Sequence, residues 1–335
     1  MSDNQTQGML KRTADALKTY GFSEKHNPRE PAQFWFQESL DGLTLFIVFY
    51  TQGCRWAKCL GCNLPSRVSA NPVHFRHLKK QVDYVFEILL SREDKLRIRK
   101  FIISNNGSVL DQVTFSTTVL MYFLAMMNIH CPNVSVLTLE TRPEYIDMAE
   151  LEVLSRALKE GETQTDLELA IGFEAFDEKI RNDHFQKGLE LRVFEEMAEK
   201  VAMYGFRLKV YFMLKPVPML SEEDAIADVV RGFEYFDKIA RQYGLCINVH
   251  LNPTYVAFGT PLEEAFRTGD FTPPQLESVR RAVLHANGKN ITVYVGLMDE
   301  GLAVPGGSFI REGDEKLIAA LNRFNQTQDF NILEP

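Results

Sequence analysis

Residues 208–215, LKVYFMLK, alternate two kinds of side chain. Leu208, Val210, Phe212 and Leu214 fall on one face of an extended chain, and Lys209, Tyr211, Met213 and Lys215 on the other. The split recurs along the sequence. CINVHLN (246–252) sets Asn248, His250 and Asn252 against Ile247, Val249 and Leu251, and LELAIGFE (167–174) sets Glu168, Ala170, Gly172 and Glu174 against Leu167, Leu169, Ile171 and Phe173. From VSVLTLE (134–140), Thr138 and Glu140 line up with Arg142 opposite Leu137 and Leu139. LTLFIVFY (43–50), KFIIS (100–104) and ITVYVGL (291–297) also read as strands.

Between these runs lie stretches with apolar residues at helical spacing: 77–91, 115–128, 147–160, 191–205, 221–244 and 273–288. Ser221 with Asp224 resembles a capping box, and Gly205 and Gly244 close their helices. Strands alternating with helices imply βα units and a parallel sheet. A strand covered on both faces is normally apolar throughout. Here one face can meet helices, while the other is too polar for a closed, dry core. A curved parallel sheet, a full or partial barrel with helices outside and a polar lumen, satisfies both. Unpartnered buried charge costs several kcal/mol, so something charged or wet is expected in the lumen. The alternative is a sheet with one face bare to solvent.

The 335 residues suffice for one barrel domain with extensions, and 45% hydrophobic with 24% charged residues is ordinary for a globular chain. A net charge of −8 leaves no broad basic surface to hold nucleic acid by counterion release. The polar start MSDNQTQGMLKRTADALKTYG lacks the apolar segment of a signal peptide, and no run approaches the ~18 apolar residues of a membrane span. A cytoplasmic protein without membrane contact is expected.

TQGCRWAKCLGCN (51–63) places three of the five cysteines within nine positions, immediately after the first of these strands. A loop that follows a barrel strand lies at the end where chemistry is placed. Cys54, Cys59 and Cys62, spaced C-x4-C-x2-C, can grip three corners of a cubane iron–sulfur cluster and leave the fourth iron open to another ligand. A zinc site completed by His74 or His77 is the main alternative. Cys131 and Cys246 are isolated and read as packing residues.

With these motifs the chain resembles the radical SAM superfamily, in the group that contains the Elongator catalytic subunit and the radical SAM subunit of archaeosine synthase. The matching stretches run in order: YTQGCRWAKCLGC, ISNNGSVLD, LETRPEYI, IGFEAFDEKIRNDHFQKG, KVYFMLKPVPMLSEEDAI and NPTYVAFGTPLEEAFRTGDFTPPQL. The resemblance implies an α/β fold, a partial (β/α)6-type parallel TIM-like barrel over residues 43–298, with an N-terminal extension (1–42) and a C-terminal extension (299–335) packing on the barrel. It implies a [4Fe-4S] cluster on Cys54, Cys59 and Cys62, with S-adenosylmethionine bound at the open iron. Asn106, Gly107 and Ser108 stand where the superfamily touches the methionine amine, although NNGS could equally be a plain turn. Glu140 and Arg142 are expected at ribose and carboxylate, unless they form a salt bridge with each other, and Glu174 is expected at the nucleoside. Tyr211, Lys215, His250 and Asn252 are the candidate catalytic and substrate contacts, with a solvated rim charge the alternative for Lys215.

The function so implied is reductive cleavage of S-adenosylmethionine and hydrogen abstraction from a substrate in the barrel. Such an enzyme would draw on a one-electron donor such as a flavodoxin or ferredoxin. Its substrate would be a small molecule or modified nucleoside, or tRNA held with a partner protein, and a lyase or tRNA modification reaction on a nucleoside or amino-acid adduct is the expected chemistry. The alternatives are a zinc-bearing nucleic-acid-associated binding module and a non-catalytic, cluster-bearing partner subunit. Residues 298–335 contain neither cysteine nor histidine, unlike the end of the archaeosine synthase subunit.

Overall fold

A computed structural model describes residues 18–334. The first 17 residues of the expected N-terminal extension, and Pro335, lie outside them. Eight strands form one sheet in chain order: β1 (Gln33–Ser39), β2 (Gly42–Val48), β3 (Lys100–Ser104), β4 (Val136–Thr141), β5 (Asp166–Glu174), β6 (Arg207–Leu214), β7 (Ile247–Pro253) and β8 (Thr292–Val295). β1 runs antiparallel to β2 and every other pair is parallel. The helices are α1 (Phe75–Asp83), α2 (Arg92–Arg97), α3 (Thr117–His130), α4 (Met148–Leu158), α5 (Leu191–Met203), α6 (Glu222–Tyr243), α7 (Pro261–Arg267), α8 (Leu276–Leu284) and α9 (Glu315–Thr327). The result is an α/β half-barrel of the TIM type, curled but open between β1 and β8.

All seven runs read as strands are strands, and all six helical stretches hold helices. Ser221 caps α6 by accepting from the Asp224 amide at 3.1 Å, and Gly244 ends it in the left-handed region. The outward strand residues, among them Leu169, Ile171, Val210, Phe212, Val249 and Leu251, are buried in one core with the helices. The sequence reading missed β1. Its hairpin turns on Leu40–Asp41 before Gly42, and its register pairs Phe34 with Ile47 and Trp35 with Phe46. The reading also missed α9, which packs on both β1 and β8. The amides of Asn325 and Gln328 on α9 bond the backbone of Val295 and Val293 in both directions at 2.7–2.9 Å. A helix thus satisfies the open edge of β8, where another strand would otherwise be needed.

The lumen face holds two unlike halves. Beside β1 to β3, Trp35 stacks on Phe46 at 4.2 Å, and Val48, Tyr50, Val68 and Ile102 fill the space with them. Across β3 to β7, at the strand starts, buried charges pair with each other. Lys100 bridges Asp41 at 2.8 Å and Glu168 at 2.7 Å, Arg207 reaches Asp41 at 2.9 Å, and Thr138 donates to Glu168 at 2.7 Å. Lys209 donates to Asn248 at 2.6 Å. The expectation that these charges require something else in the lumen is therefore corrected at this end, because Asp41 of the unforeseen hairpin completes their pairing.

Burial alone would raise the Glu168 carboxyl, but Lys100, Lys209 and Arg207 outweigh it and hold it below the usual range. Lys209 is pushed down to about 7 by burial and by neighbouring Lys100. Lys100→Met leaves Glu168 poorly compensated and is expected to cost about 3–5 kcal/mol in urea unfolding. Adding Glu168→Leu should restore part of the loss, and a double variant no more stable than the single one would show the pair to be uncoupled. Free in the unfolded chain, Lys209 titrates near 10.4, so between pH 7 and 10 the unfolded state holds the extra proton. The destabilisation is then complete below pH 7 and fades as pH rises. Unfolding free energy should climb more steeply between pH 7 and 9 in the parent chain than in Lys209→Met, by up to about 1.4 kcal/mol per pH unit; equal slopes would place the ammonium in water.

Candidate functional site at the barrel mouth

The loop after β2 carries Cys54, Cys59 and Cys62, all free and partly buried, at the end of the sheet opposite the ion-paired foot. Close packing fixes its backbone. The turn after β3 presses Gly107 so near that a Cβ there would stand 3.0 Å from the Cys54 Cα, and a Cβ on Gly61 would lie 2.6 Å from Leu262. Asn106 donates to Leu64 O at 2.9 Å, and Trp56 donates to Gln186 O at 2.8 Å. The Trp56 ring lies over Gly188, where a Cβ would approach it to 2.4 Å, and the Arg142 guanidinium stacks 4.6 Å from the indole centroid. Burial pushes the Cys62 thiol up to about 12 and raises Cys59 too; Cys62 also feels Cys59 and Cys54, and Cys59 feels Cys54. Among the described residues no three cysteine, histidine or acidic side chains are drawn to metal-binding spacing. His74, one of the histidines of the zinc reading, caps α1 by accepting from the Arg76 amide at 3.2 Å.

The other predicted residues are distributed unevenly. Glu140 and Tyr211 meet directly, the phenol donating to the carboxylate. The Tyr211 ring lies 4.9 Å from His250, which lies 4.7 Å from Tyr294. Asn252 joins them: at Gly296 an added Cβ would fall 2.4 Å from the Asn252 oxygen and 2.9 Å from His250 Nε2. Glu140, Tyr211, His250 and Asn252 therefore share one chamber. Ser108 bonds the Thr141 hydroxyl at 2.5 Å at the edge of the same turn as Gly107. Arg142 takes Glu144 as its partner, so the alternative of a Glu140 bridge fails. Glu174 follows a register shift in β5 and pairs with Lys187 at 2.8 Å, and both ends of that pair occupy the space a side chain at Gly172 would need. Lys215 lies one residue past β6, with its ammonium 3.4 Å from Glu222 and 3.5 Å from Thr272, so it stands apart from the chamber.

Burial shifts every titratable group of the chamber. Burial, then Lys209 and Lys100, push His250 well below its ordinary range, so the imidazole is neutral, and its Nδ1 is buried without a partner. Burial raises the Glu140 carboxyl, and burial followed by the Glu140 charge lifts Tyr211. Glu300 rises to about 7 through burial and the charge of Glu140. That residue also lines a cleft of about 540 Å³ at the open seam, between 33–35 of β1 and 297–301 after β8. This cleft is lined by residues of the seam and by none of the three cysteines.

Six residues other than glycine at this end adopt left-handed backbone with φ between 50° and 73°: Ala57, Asn106, Glu174, Gln186, Lys215 and Glu300. Such conformations cost on the order of 1 kcal/mol or more each and persist where the surroundings enforce them. The sequence reading missed Lys187, Trp56 and Glu300. Lys187 and Trp56 lie in stretches that carried the family resemblance, but period-two reasoning addresses strands and both stand in loops. Among the described residues no helix is long and apolar enough to cross a membrane.

No family model matches the chain. The archaeosine synthase subunit beta of Methanosarcina acetivorans is 30% identical over 259 residues, covering 75% of this chain and 70% of its own. The archaeosine synthase subunit beta of Thermococcus kodakarensis is 25% identical over 306 residues, 88% of each chain. Among solved structures, Methanocaldococcus infernus Elp3 with an N-terminal deletion is 14% identical, matching 69% of this chain and 54% of that one with a TM-score of 0.48. Streptococcus suis SuiB bound to S-adenosylmethionine is 13% identical, at 80% and 54% with a TM-score of 0.48. Likeness at that score carries no argument, and the fold stands on the strands described above. The kinship rests on the Methanosarcina protein, matched over three quarters of this chain: the chain belongs to the radical SAM superfamily, in the family of the archaeosine synthase beta subunits.

Proposed function

We propose that the chain is a radical SAM enzyme that holds a [4Fe-4S] cluster on Cys54, Cys59 and Cys62 and acts on a substrate in the chamber of Glu140, Tyr211, His250 and Asn252. The observation that carries this reading is the placement of three thiols at the one end of the half-barrel where a buried, unpartnered imidazole nitrogen also lies. The donor set fits the group. Burial raises the thiols of Cys59 and Cys62, and iron would supply the positive charge that stabilises their thiolates. The backbone that would present the three side chains to it is already fixed by Gly107, Gly61 and the Trp56 bond. Bound there, the cluster would supply the single electron that splits S-adenosylmethionine into methionine and a 5'-deoxyadenosyl group able to take hydrogen from the substrate.

The chain's own groups then bind and orient. The Asn106–Gly107–Ser108 turn offers closely approachable backbone beside Cys54. Glu174, steadied by Lys187, and Arg142, steadied by Trp56 and Glu144, would be the groups that contact the cofactor. The neutral His250 and the Glu140–Tyr211 pair offer hydrogen bonds to an uncharged polar substrate, while Lys215 is assigned to the rim with Glu222. The relatives named as archaeosine synthase subunits favour a modified nucleoside, with bond cleavage as the reaction. A net charge of −8 favours a partner subunit as the holder of any tRNA.

After anaerobic reconstitution the chain should be brown with about four irons per chain, and Cys59→Ala should lose iron and 5'-deoxyadenosine formation together while staying folded. A colourless protein with stoichiometric zinc would overturn the cluster, and S-adenosylmethionine binding without cleavage would leave a non-catalytic subunit. His250→Ala should keep its iron yet lose about 100-fold or more of substrate-stimulated turnover, measured against bulk tRNA, free modified nucleosides and cell metabolites; full turnover would remove His250 from the substrate site.

A further inference from the structure

Ahead of the sheet, the segment 18–24 crosses the barrel mouth and is tied to three separate parts of it. The Lys18 ammonium donates to Ala57 O at 2.9 Å, inside the cysteine loop. The Thr19 amide donates to Gly259 O at 2.9 Å, in the connection after β7. The Ser23 amide donates to Val68 O at 3.0 Å, Tyr50 donates its phenol to Ser23 O at 2.8 Å, and the Ala70 amide donates to Glu24 at 2.9 Å. Gly259 shows how closely the segment is seated. Its φ is +66°, and a Cβ there would meet the Tyr20 backbone nitrogen at 2.6 Å, an atom that cannot give way. Phe22 comes within 3.5 Å of the position a Cβ would take on Gly53, next to Cys54, and its ring meets Tyr20 edge-on at 6.3 Å. Tyr20 is half-buried, and its hydroxyl lies within electrostatic reach of all three thiols, with Cys62 the strongest.

None of these strap residues belongs to the main hydrophobic core, and Phe22 remains 43% exposed. The fold does not need the strap for packing, yet five hydrogen bonds hold it over one loop. We propose that Lys18–Ser23 is a fixed wall of the cysteine site, in which Tyr20 shields Cys59 and Cys62 from solvent and oxidants and Lys18 pins the loop beneath. Tyr20 acts here as a positioning and shielding residue through its ring, not through its hydroxyl. The purpose of the shield rests on the cluster reading, because a solvent-exposed iron–sulfur cluster is readily lost to oxygen, but the shielding itself is a property of the chain.

The cluster-free full-length chain, treated briefly with iodoacetamide and mapped by mass spectrometry, tests the wall directly. Exposed Cys246, at the start of β7 on the far end of the barrel, supplies the internal reference. Tyr20→Ala, and Thr19→Pro, which deletes the amide that bonds Gly259, should each speed alkylation of Cys59 and Cys62 by about fivefold or more, a change equivalent to opening a local barrier of roughly 1 kcal/mol, while Cys246 reacts at its original rate. Tyr20→Phe should label like the parent chain. Unchanged Cys59 and Cys62 rates in both disruptive variants, with circular dichroism and thermal midpoints intact, would overturn the wall. On reconstituted protein the same variants should bleach faster in air than the parent and Tyr20→Phe. A parent chain that takes up no iron would refute the cluster reading alone, since the alkylation result decides the strap without it.

Discussion

Burying Lys100 and Glu168 at the centre of the barrel foot is tolerable only because each finds opposite charge within 3 Å. That constraint orders the molecule. It requires Asp41, and so the β1–β2 hairpin that brings Asp41 to the strand starts; it recruits Arg207 from β6 and Thr138 from β4; and it fixes the four strands β3 to β6 and the hairpin turn against one another at a single point. A half-barrel left open between β1 and β8 has no closing strand to set its curvature. The ion-paired foot and the amide contacts of α9 with β8 take over that task.

The mouth is built on the opposite principle. Where the foot pairs its buried charges with one another, the mouth leaves His250 Nδ1 without a partner and keeps strained backbone at several residues, from Ala57 to Glu300. The left-handed residues follow β2, β3, β5, β6 and β8 in turn, so the strain lies wherever the chain must leave the sheet without closing over the chamber. Stability gained in the foot and the helix-covered core offsets that strain. Such a division lets one end of a small barrel remain open to a ligand while the whole stays folded.

The alternation of LKVYFMLK and its counterparts was legible because side-chain direction in a strand follows from backbone geometry alone, and that geometry located the shared chamber of Glu140, Tyr211, His250 and Asn252. Two failures mark where such reasoning stops. Lys215 continues the alternation in sequence, yet the strand ends at Leu214 and the next residue turns left-handed, which sends its ammonium to Glu222. Of the ion network only Glu168, Thr138, Lys209 and Asn248 were read, each on the polar face of its own strand and none as a partner of another. Lys100 and Glu168 are 68 positions apart, and their meeting depends on strand register, which no local pattern encodes. The hairpin carried a signal that went unused: the Asp41–Gly42 pair between apolar-rich runs is a turn signature. The strap was beyond reach, because its hydrogen bonds are made by backbone atoms whose partners lie in distant loops.

Charge placement gives the two ends different chemistry. Lys100, Lys209 and Arg207 concentrate positive charge at the foot, where Asp41 and Glu168 balance it. Burial, and after it the charges of Lys209 and Lys100, holds His250 well below its ordinary range, while burial raises Glu140 and Tyr211. A ligand entering the chamber therefore meets a neutral imidazole beside the Glu140–Tyr211 pair, with no free cation among these four residues. A phosphodiester would lose its hydration there without gaining a cation, whereas a nucleobase or similar uncharged group would exchange water for hydrogen bonds of equal quality. The same field separation explains why the foot does not compete for such a ligand: its cations are already engaged, and the chamber between its side chains holds only about 90 Å³.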